Sequence, residues 1–203
     1  MMNPDLQSLL NELHETGLHH DSQEQDRRKK LLNLEPDTAR FLSVLLRSSH
    51  RTSVLEIGTS NGYSTIWLAW AMQQTGGHVV SIDREPHKQV MASENLHRAG
   101  LTGQVELICG DATEIIRSLQ RPFDCVFFDA DRSSAPEQLA LLLPQLTPEA
   151  LILADNVHSH PDEIAGYLHA IEQLPQFEHL VVPIGKGLSL AYRQGSQTAK
   201  KLL

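Results

Sequence analysis

Short apolar runs alternate with helix-like segments from Thr52 onward, and this alternation limits the fold more than any other feature of the chain. The strand-like runs cover residues 53–57, 78–82, 104–109, 123–128, 150–154, 180–183 and 188–192. Helix-like segments lie between them, such as residues 64–74 and 86–99. Strands separated by helices form βαβ units, in which a parallel sheet is covered on both faces. The pattern therefore predicts an α/β fold, and the glycines of residues 185–187 predict a hairpin turn before the last strand.

The first 35 residues have a different pattern. Leucines at positions 6, 9, 10 and 13 recur at helical spacing and predict a short amphipathic helix. Residues 14–30 are polar and rich in histidine, which predicts a loop that leads into a charged helix. A second helix is expected to begin at Pro36. Because residues 1–35 are too few to hold a core, we expect an N-terminal helical extension followed by one domain over residues 36–203.

Charge and hydropathy narrow the classes of partner and the location. The net charge is −8, and the one dense basic cluster, residues 27–30, is interpreted as a solvated helix face. This balance disfavours a nucleic-acid partner and favours a small molecule. No apolar run approaches the roughly 20 residues that span a bilayer, and the first ten residues lack the features of a signal peptide. We therefore expect no membrane partner and a cytoplasmic protein, in which Cys109 and Cys125 are buried free thiols.

The first strand runs into a glycine-containing turn, Glu56-Ile57-Gly58-Thr59-Ser60-Asn61-Gly62. Two glycines allow a tight turn and a close approach of a ligand to the backbone. The turn lacks the third glycine of the nicotinamide fingerprint, and Glu56 would repel a pyrophosphate there. A carboxylate at this place suits a cationic ligand instead. S-adenosylmethionine, which carries an ammonium and a sulfonium group, meets that description.

Two further groups follow the second and third strands. Asp83 ends the second strand, where related folds place an acid that holds ribose hydroxyls. Gly110, Asp111 and Ala112 follow the third strand and are expected to line an adenine slot. Each group alone also has a structural interpretation, as a local cap, a strand end or a turn. Their occurrence after three consecutive strands favours a cofactor site.

The motifs together resemble the class I methyltransferases, and among them the cation-dependent O-methyltransferases of the catechol and caffeoyl-CoA type. The resemblance covers residues 36–193 and depends on LEIGTSNGYS (55–64), SIDRE (81–85), GDA (110–112), FDCVFFDADR (123–132), LADN (153–156) and PIGKGLSLAYR (183–193). It implies a Rossmann-like sheet of seven strands whose last strand is antiparallel. It also implies that S-adenosylmethionine binds at Glu56, Gly58, Ser60, Gly62, Tyr63, Ser64, Asp83, Gly110, Asp111, Ala112 and Asp129.

Asp129 follows the fourth strand, and Asp155 and Asn156 follow the fifth. Both groups are expected at the carboxyl ends of strands, where open α/β sheets bind ligands. Two carboxylates and an amide oxygen form an oxygen-only set that suits Mg²⁺ or a similar cation. The resemblance implies that this cation binds the acceptor hydroxyls. The alternative is that Asp129 only orients the cofactor and that Asp155 and Asn156 cap the next helix.

One position departs from the family. Where the family usually has a lysine that takes the hydroxyl proton, this chain has Arg132, whose guanidinium cannot act as a base. The protein must then use another base, rely on the cation alone or act differently. His158 and His160 lie just after the metal residues and could take the proton. Asp129 and His158 are the candidate catalytic residues. Surface histidines before a helix that begins at Pro161 are the simpler interpretation of His158 and His160.

The acceptor is the least determined feature. The resemblance implies a small hydroxylated, catechol-like acceptor, and a homodimer is compatible with it. A metal-independent methyltransferase for another acceptor and a non-catalytic cofactor-binding protein remain alternatives, whereas a nicotinamide dehydrogenase is disfavoured by the glycine pattern. Trp67 and Trp70 are interpreted as packing residues and not as a stacking platform for the acceptor.

Overall fold

The computed structural model describes residues 2–195. Its seven helices are α1 (Pro4–Gln23), α2 (Pro36–Ser48), α3 (Tyr63–Thr75), α4 (Pro86–Arg98), α5 (Ala112–Ser118), α6 (Ala135–Leu142) and α7 (Pro161–Glu172). Its seven strands are β1 (Ser53–Ile57), β2 (His78–Asp83), β3 (Val105–Cys109), β4 (Phe123–Phe128), β5 (Leu146–Ala154), β6 (Phe177–Val182) and β7 (Leu188–Arg193). All seven predicted strand-like runs are therefore strands, although β5 and β6 begin earlier than their apolar stretches indicated.

The strands form one sheet in the order β3-β2-β1-β4-β5-β7-β6. Pairing from β3 through β5 is parallel, and β7 is antiparallel to both of its neighbours. The predicted Rossmann-like sheet with an antiparallel last strand is confirmed. The strand order reverses between β1 and β4, and the crevice at such a reversal is the usual ligand site of open α/β sheets.

Two apolar layers hold helices against the sheet. Successive strand residues point to opposite faces, so Val54 packs in the layer with α1 to α4 and Leu55 in the layer with α5 to α7. Both side chains are fully buried. By the same alternation Glu56 lies on the α3 face. The carboxylate that the sequence placed beside the turn is thus directed toward a helix of the core.

The N-terminal helix differs from the prediction. It begins at Pro4, capped by the Asn3 side chain, and continues to Gln23, well past the apolar stretch. Leu6, Leu9, Leu10 and Leu13 are buried in the same apolar layer as α3. The polar residues after position 13 were predicted as a loop because few of them are apolar. A surface helix needs only one buried stripe, so the residues up to Gln23 continue the helix with their polar sides in solvent. Residues 24–35 connect this helix to α2.

Three smaller expectations are also settled. Residues 27–29 are exposed and Lys30 is half-buried, and the cluster lies in and next to a turn and not on a helix. Cys125 is buried, whereas Cys109 is exposed because it ends the edge strand β3. Trp67 and Trp70 are buried and pack edge to face, with ring centroids 6.3 Å apart, as expected for packing residues.

Among the helices of residues 2–195, none is both long and apolar enough to cross a membrane.

Candidate active site

The loops that follow the parallel strands meet at one edge of the sheet. Each loop is bonded to the neighbouring strand end, as in Gly58 N–H to the Ile82 carbonyl (2.9 Å) and Asp129 N–H to the Ile57 carbonyl (2.9 Å). Gly110 is bonded in the same way to Asp83 (2.9 Å). The sheet therefore brings Gly58, Asp83, Gly110 and Asp129 to one edge.

Gly58 is the point where two of these loops touch. Its φ is +112°, and a Cβ built there would lie 2.2 Å from the carbonyl oxygen of Asp129. Real Cβ atoms do not approach an oxygen so closely, so only glycine fits. Gly62, with φ of +85°, then starts α3 as its N-cap. Both glycines of the predicted turn have a backbone conformation that side chains rarely adopt, and Gly58 is required in addition by its contact with the Asp129 loop.

Glu56 lies below this turn and is fully buried. Its carboxylate accepts hydrogen bonds from the hydroxyls of Ser64 (2.6 Å), Thr65 (2.5 Å) and Ser81 (2.6 Å). Burial raises its pKa to about 7, although the three hydroxyls oppose the shift. Glu56 thus joins β1 to the start of α3 and to β2. A direct contact of Glu56 with a cationic ligand stays a prediction.

Asp83 is fixed at the end of β2 by two backbone donors. Its carboxylate accepts from Ser60 N–H (2.8 Å) and from Glu85 N–H (2.9 Å). Ser60 in turn donates its hydroxyl to the carbonyl of Leu31 (2.6 Å). The segment that leads from α1 to α2 is therefore attached to the glycine turn, a contact that the sequence did not predict.

A cleft that is open to solvent lies between these loops. It is lined by Gly58, Asp83, Gly110, Asp111 and Ala112, all of them predicted cofactor residues, together with Arg84, Asp131 and Gln138 among others. Asp111 is also the N-cap of α5. Tyr63 and Ser64, in contrast, are buried at the start of α3, where Tyr63 packs against His14 and Ser64 binds Glu56.

The predicted metal residues also lie together. Asp155 is 4% exposed, and its Oδ2 accepts a hydrogen bond from Asn156 Nδ2 at 2.6 Å. Its Oδ1 is buried and has no hydrogen-bond partner among residues 2–195. Burial, followed by the negative charge of Asp155, raises the pKa of Asp129 well above its usual range. Burial also raises the pKa of Asp155 to about 6. Two carboxylates held this way attract a cation or a proton.

The helix-capping alternative for Asp155 and Asn156 is not what the structure shows, because α7 begins at Pro161 with His160 as its N-cap. Arg132 donates from Nη2 to the amide oxygen of Asn156. His158 is exposed and lies against Gly187, where a Cβ would be 2.4 Å from its Cδ2. The fold thus brings Arg132 into the predicted metal cluster and leaves the His158 side chain at its rim.

Two charged residues near this cluster were missed by sequence reasoning. Glu35, the N-cap of α2, is paired with Lys186 of the β6–β7 turn at 2.6 Å. Both charges act on Asp155, since Glu35 raises its pKa and Lys186 lowers it. In the sequence, Lys186 lies between two glycines and was interpreted only as part of a turn. Glu35, its partner in the structure, is about 150 positions earlier in the chain, so nothing in the sequence indicated that the two residues pair.

The methyltransferase domain family matches residues 55–157, about half of the chain, including the glycine turn, Asp83 and the Asp129 and Asp155 loops. This chain belongs to the class I S-adenosylmethionine-dependent O-methyltransferases. An O-methyltransferase of Bacillus cereus, solved in complex with SAH, superposes on this methyltransferase with a TM-score of 0.80 at 25% sequence identity. The match covers 92% of this chain and 91% of that one.

Two curated relatives are catechol O-methyltransferases. The methyltransferase is 36% identical to the one of Niastella koreensis over 130 residues, which are 62% of this chain and 58% of the relative. It is 37% identical to the one of Mycobacterium tuberculosis over 119 residues, which are 58% of this chain and 54% of the relative. The matched region thus spans little more than half of the length of these relatives.

Proposed function

We propose that this methyltransferase transfers the methyl group of S-adenosylmethionine to a hydroxyl of a small, catechol-like acceptor, assisted by a divalent cation. The observation that carries the proposal is the pair of residues Asp129 and Asp155, which line one pocket at the carboxyl edge of the sheet. This pocket adjoins the cleft, since Ala130 and Asp131 line both. The two catechol O-methyltransferase relatives support the acceptor class.

The donor set is compatible with a hard cation. In residues 2–195 no three His, Cys, Asp or Glu side chains come together as metal ligands. The candidate ligands are therefore two carboxylates and the Asn156 amide, oxygen donors of the kind that Mg²⁺ takes together with water. Asp155 Oδ1, buried without a protein partner in the described chain, is an acceptor atom that a cation would satisfy.

When bound, S-adenosylmethionine supplies the methyl group and the cation lowers the pKa of the acceptor hydroxyl. The chain itself supplies position. Glu56 fixes the turn through Ser64 and Ser81, and Asp83 is held by Ser60 with its carboxylate at the cleft wall. Such fixed placement of reactants is a large part of catalysis by proximity.

The route of the hydroxyl proton is part of the proposal. Arg132 cannot accept it. Asp129 lies in the cluster itself, and His158 lies two residues beyond Asn156 on a loop that is held by the hydrogen bond from His158 N–H to the Lys186 carbonyl (2.8 Å). We propose these two residues as the candidate proton acceptors.

Calorimetric titration tests the proposal with SAH and with Mn²⁺ as separate ligands, on the unaltered chain, Asp155→Asn and Asp162→Asn. Asp162 is an exposed acid in the first turn of α7, so its variant removes one charge nearby without touching the cluster. We expect Asp155→Asn to keep SAH binding and to weaken Mn²⁺ by more than the roughly 10–100-fold typical of outer-shell losses. Asp162→Asn should match the unaltered chain.

An acceptor panel completes the test. Methylation of catechol and 3,4-dihydroxybenzoate, with loss of activity in chelator, is the expected result. SAH binding without any Mn²⁺ response would remove the cation from the proposal and favour a metal-independent enzyme. A chain that binds SAH but methylates none of the panel would contradict the acceptor class.

A further inference from the structure

Arg132 occupies a fixed position inside the proposed cation site. It follows Asp129 by three residues, and only 13% of its side chain is exposed. One guanidinium nitrogen, Nη2, donates to Asn156 Oδ1, and the other, Nη1, donates to Glu163 Oε2 at 3.2 Å. The planar fork of arginine can hold two partners at once, which a lysine at this position could not do in the same way.

The Asn156 amide has one orientation that agrees with its neighbours. Its NH₂ group donates to the carboxylate of Asp155 at 2.6 Å, and its oxygen accepts from Arg132. The reverse orientation would set the amide NH₂ group against a guanidinium, which has no acceptor. The oxygen that Arg132 holds is therefore the same atom that would serve as the third ligand of the cation.

We infer that Arg132 is an internal competitor of the divalent cation for Asn156, an inference that depends on the cation site proposed above. An amide oxygen that accepts from a guanidinium is a poor ligand for Mg²⁺, because the two positive charges repel at close range. Arg132 has to leave Asn156 before the cation gains this ligand.

The structure indicates which of the two side chains moves. Asn156 is 7% exposed, has a left-handed backbone with φ of +70°, and is anchored by Asp155. Glu163, by contrast, is at the surface and already holds Nη1 of Arg132, and it also lies 3.5 Å from Arg27. Glu163 gives the guanidinium an anchor outside the cluster. Arg132 therefore moves toward Glu163 while Asn156 stays in place.

Titration of Mn²⁺ alone, followed by calorimetry, tests the competition in Arg132→Met, Arg132→Lys and the control Arg27→Met. Arg27 pairs with the same glutamate but is 59% exposed, so solvent screens its charge. We expect Arg132→Met to bind Mn²⁺ about tenfold more tightly or better and Arg27→Met to stay within about twofold of the unaltered chain. Arg132→Lys, which keeps the charge but loses the fork, should fall between them. SAH affinity confirms that each variant is folded.

The contact itself is tested by combining Arg132→Met with Asn156→Ala. If Arg132 competes for the amide oxygen, its removal should improve Mn²⁺ binding by less than about threefold once that oxygen is gone. A gain of equal size in both backgrounds would overturn the competition. Equal Mn²⁺ affinity of the unaltered chain, Arg132→Met and Arg132→Lys would also overturn it, while leaving the cation site intact. Absence of Mn²⁺ binding in all variants would instead refute the cation site of the proposed function.

Discussion

The contact between Gly58 and the Asp129 loop gives the sharpest test of how the site is built. In Gly58→Ala, the residue keeps a φ of +112° that side chains rarely adopt, and its Cβ lies 2.2 Å from the Asp129 carbonyl oxygen. The unusual backbone conformation costs about 1–3 kcal/mol. Relief of the clash separates the two loops and weakens the bond from Asp129 N–H to the Ile57 carbonyl (2.9 Å), at a further cost of about 1–3 kcal/mol. We expect the free energy of unfolding to fall by about 2–6 kcal/mol in total.

Two exposed glycines separate these contributions. Gly100 has φ of +67° with no atom within 4 Å of a built Cβ, and Gly103 has neither a left-handed backbone nor a close neighbour. Urea unfolding should therefore rank Gly58→Ala as least stable, then Gly100→Ala, while Gly103→Ala equals or exceeds the unaltered chain by up to about 1 kcal/mol. Calorimetry with SAH should show weaker binding in Gly58→Ala alone. If Gly58→Ala were no less stable than Gly100→Ala, the close approach of the two loops would be refuted.

Two further predictions concern stability. Since the pKa of Glu56 is raised from 4.5 to about 7, the folded state binds the extra proton, and this stabilisation is lost as pH rises from about 4.5 to 7. The loss amounts to about 3 kcal/mol. In urea titrations, the difference in unfolding free energy between the unaltered chain and Glu56→Gln should therefore change by that amount across this pH range. A difference that stays constant with pH would contradict the raised pKa. Leu10 is 1% exposed, so Leu10→Ala should lower the free energy of unfolding by about 2–5 kcal/mol. Leu18→Ala, at a side chain 60% exposed, should stay within about 0.5 kcal/mol of the unaltered chain in the same assay. Equal effects of the two leucine changes would show that α1 is not part of the cooperative core.

Much of the fold was accessible from local patterns. A strand of five or six apolar residues and a helix with one apolar stripe are specified by neighbours in the chain, since backbone hydrogen bonding sets both periods. For this reason β1 and β4 agree with their predicted bounds. The predictions are wrong where the bounds of an element are set by packing and not by the local pattern of apolar residues. α1 continues through polar residues, and β5 begins at Leu146, ahead of its apolar run.

The candidate site divides in the same way. The sequence by itself determined the glycine turn and the acids that end strands, because a strand followed by a turn places its next residue at the carboxyl edge. Only the tertiary structure decided the partners of those residues. Glu56 accepts from three hydroxyls, one of them on another strand, and Arg132 holds an amide 24 positions away. Such pairs depend on the strand order and on which face each side chain takes, and both are properties of the assembled sheet that no short stretch of sequence contains.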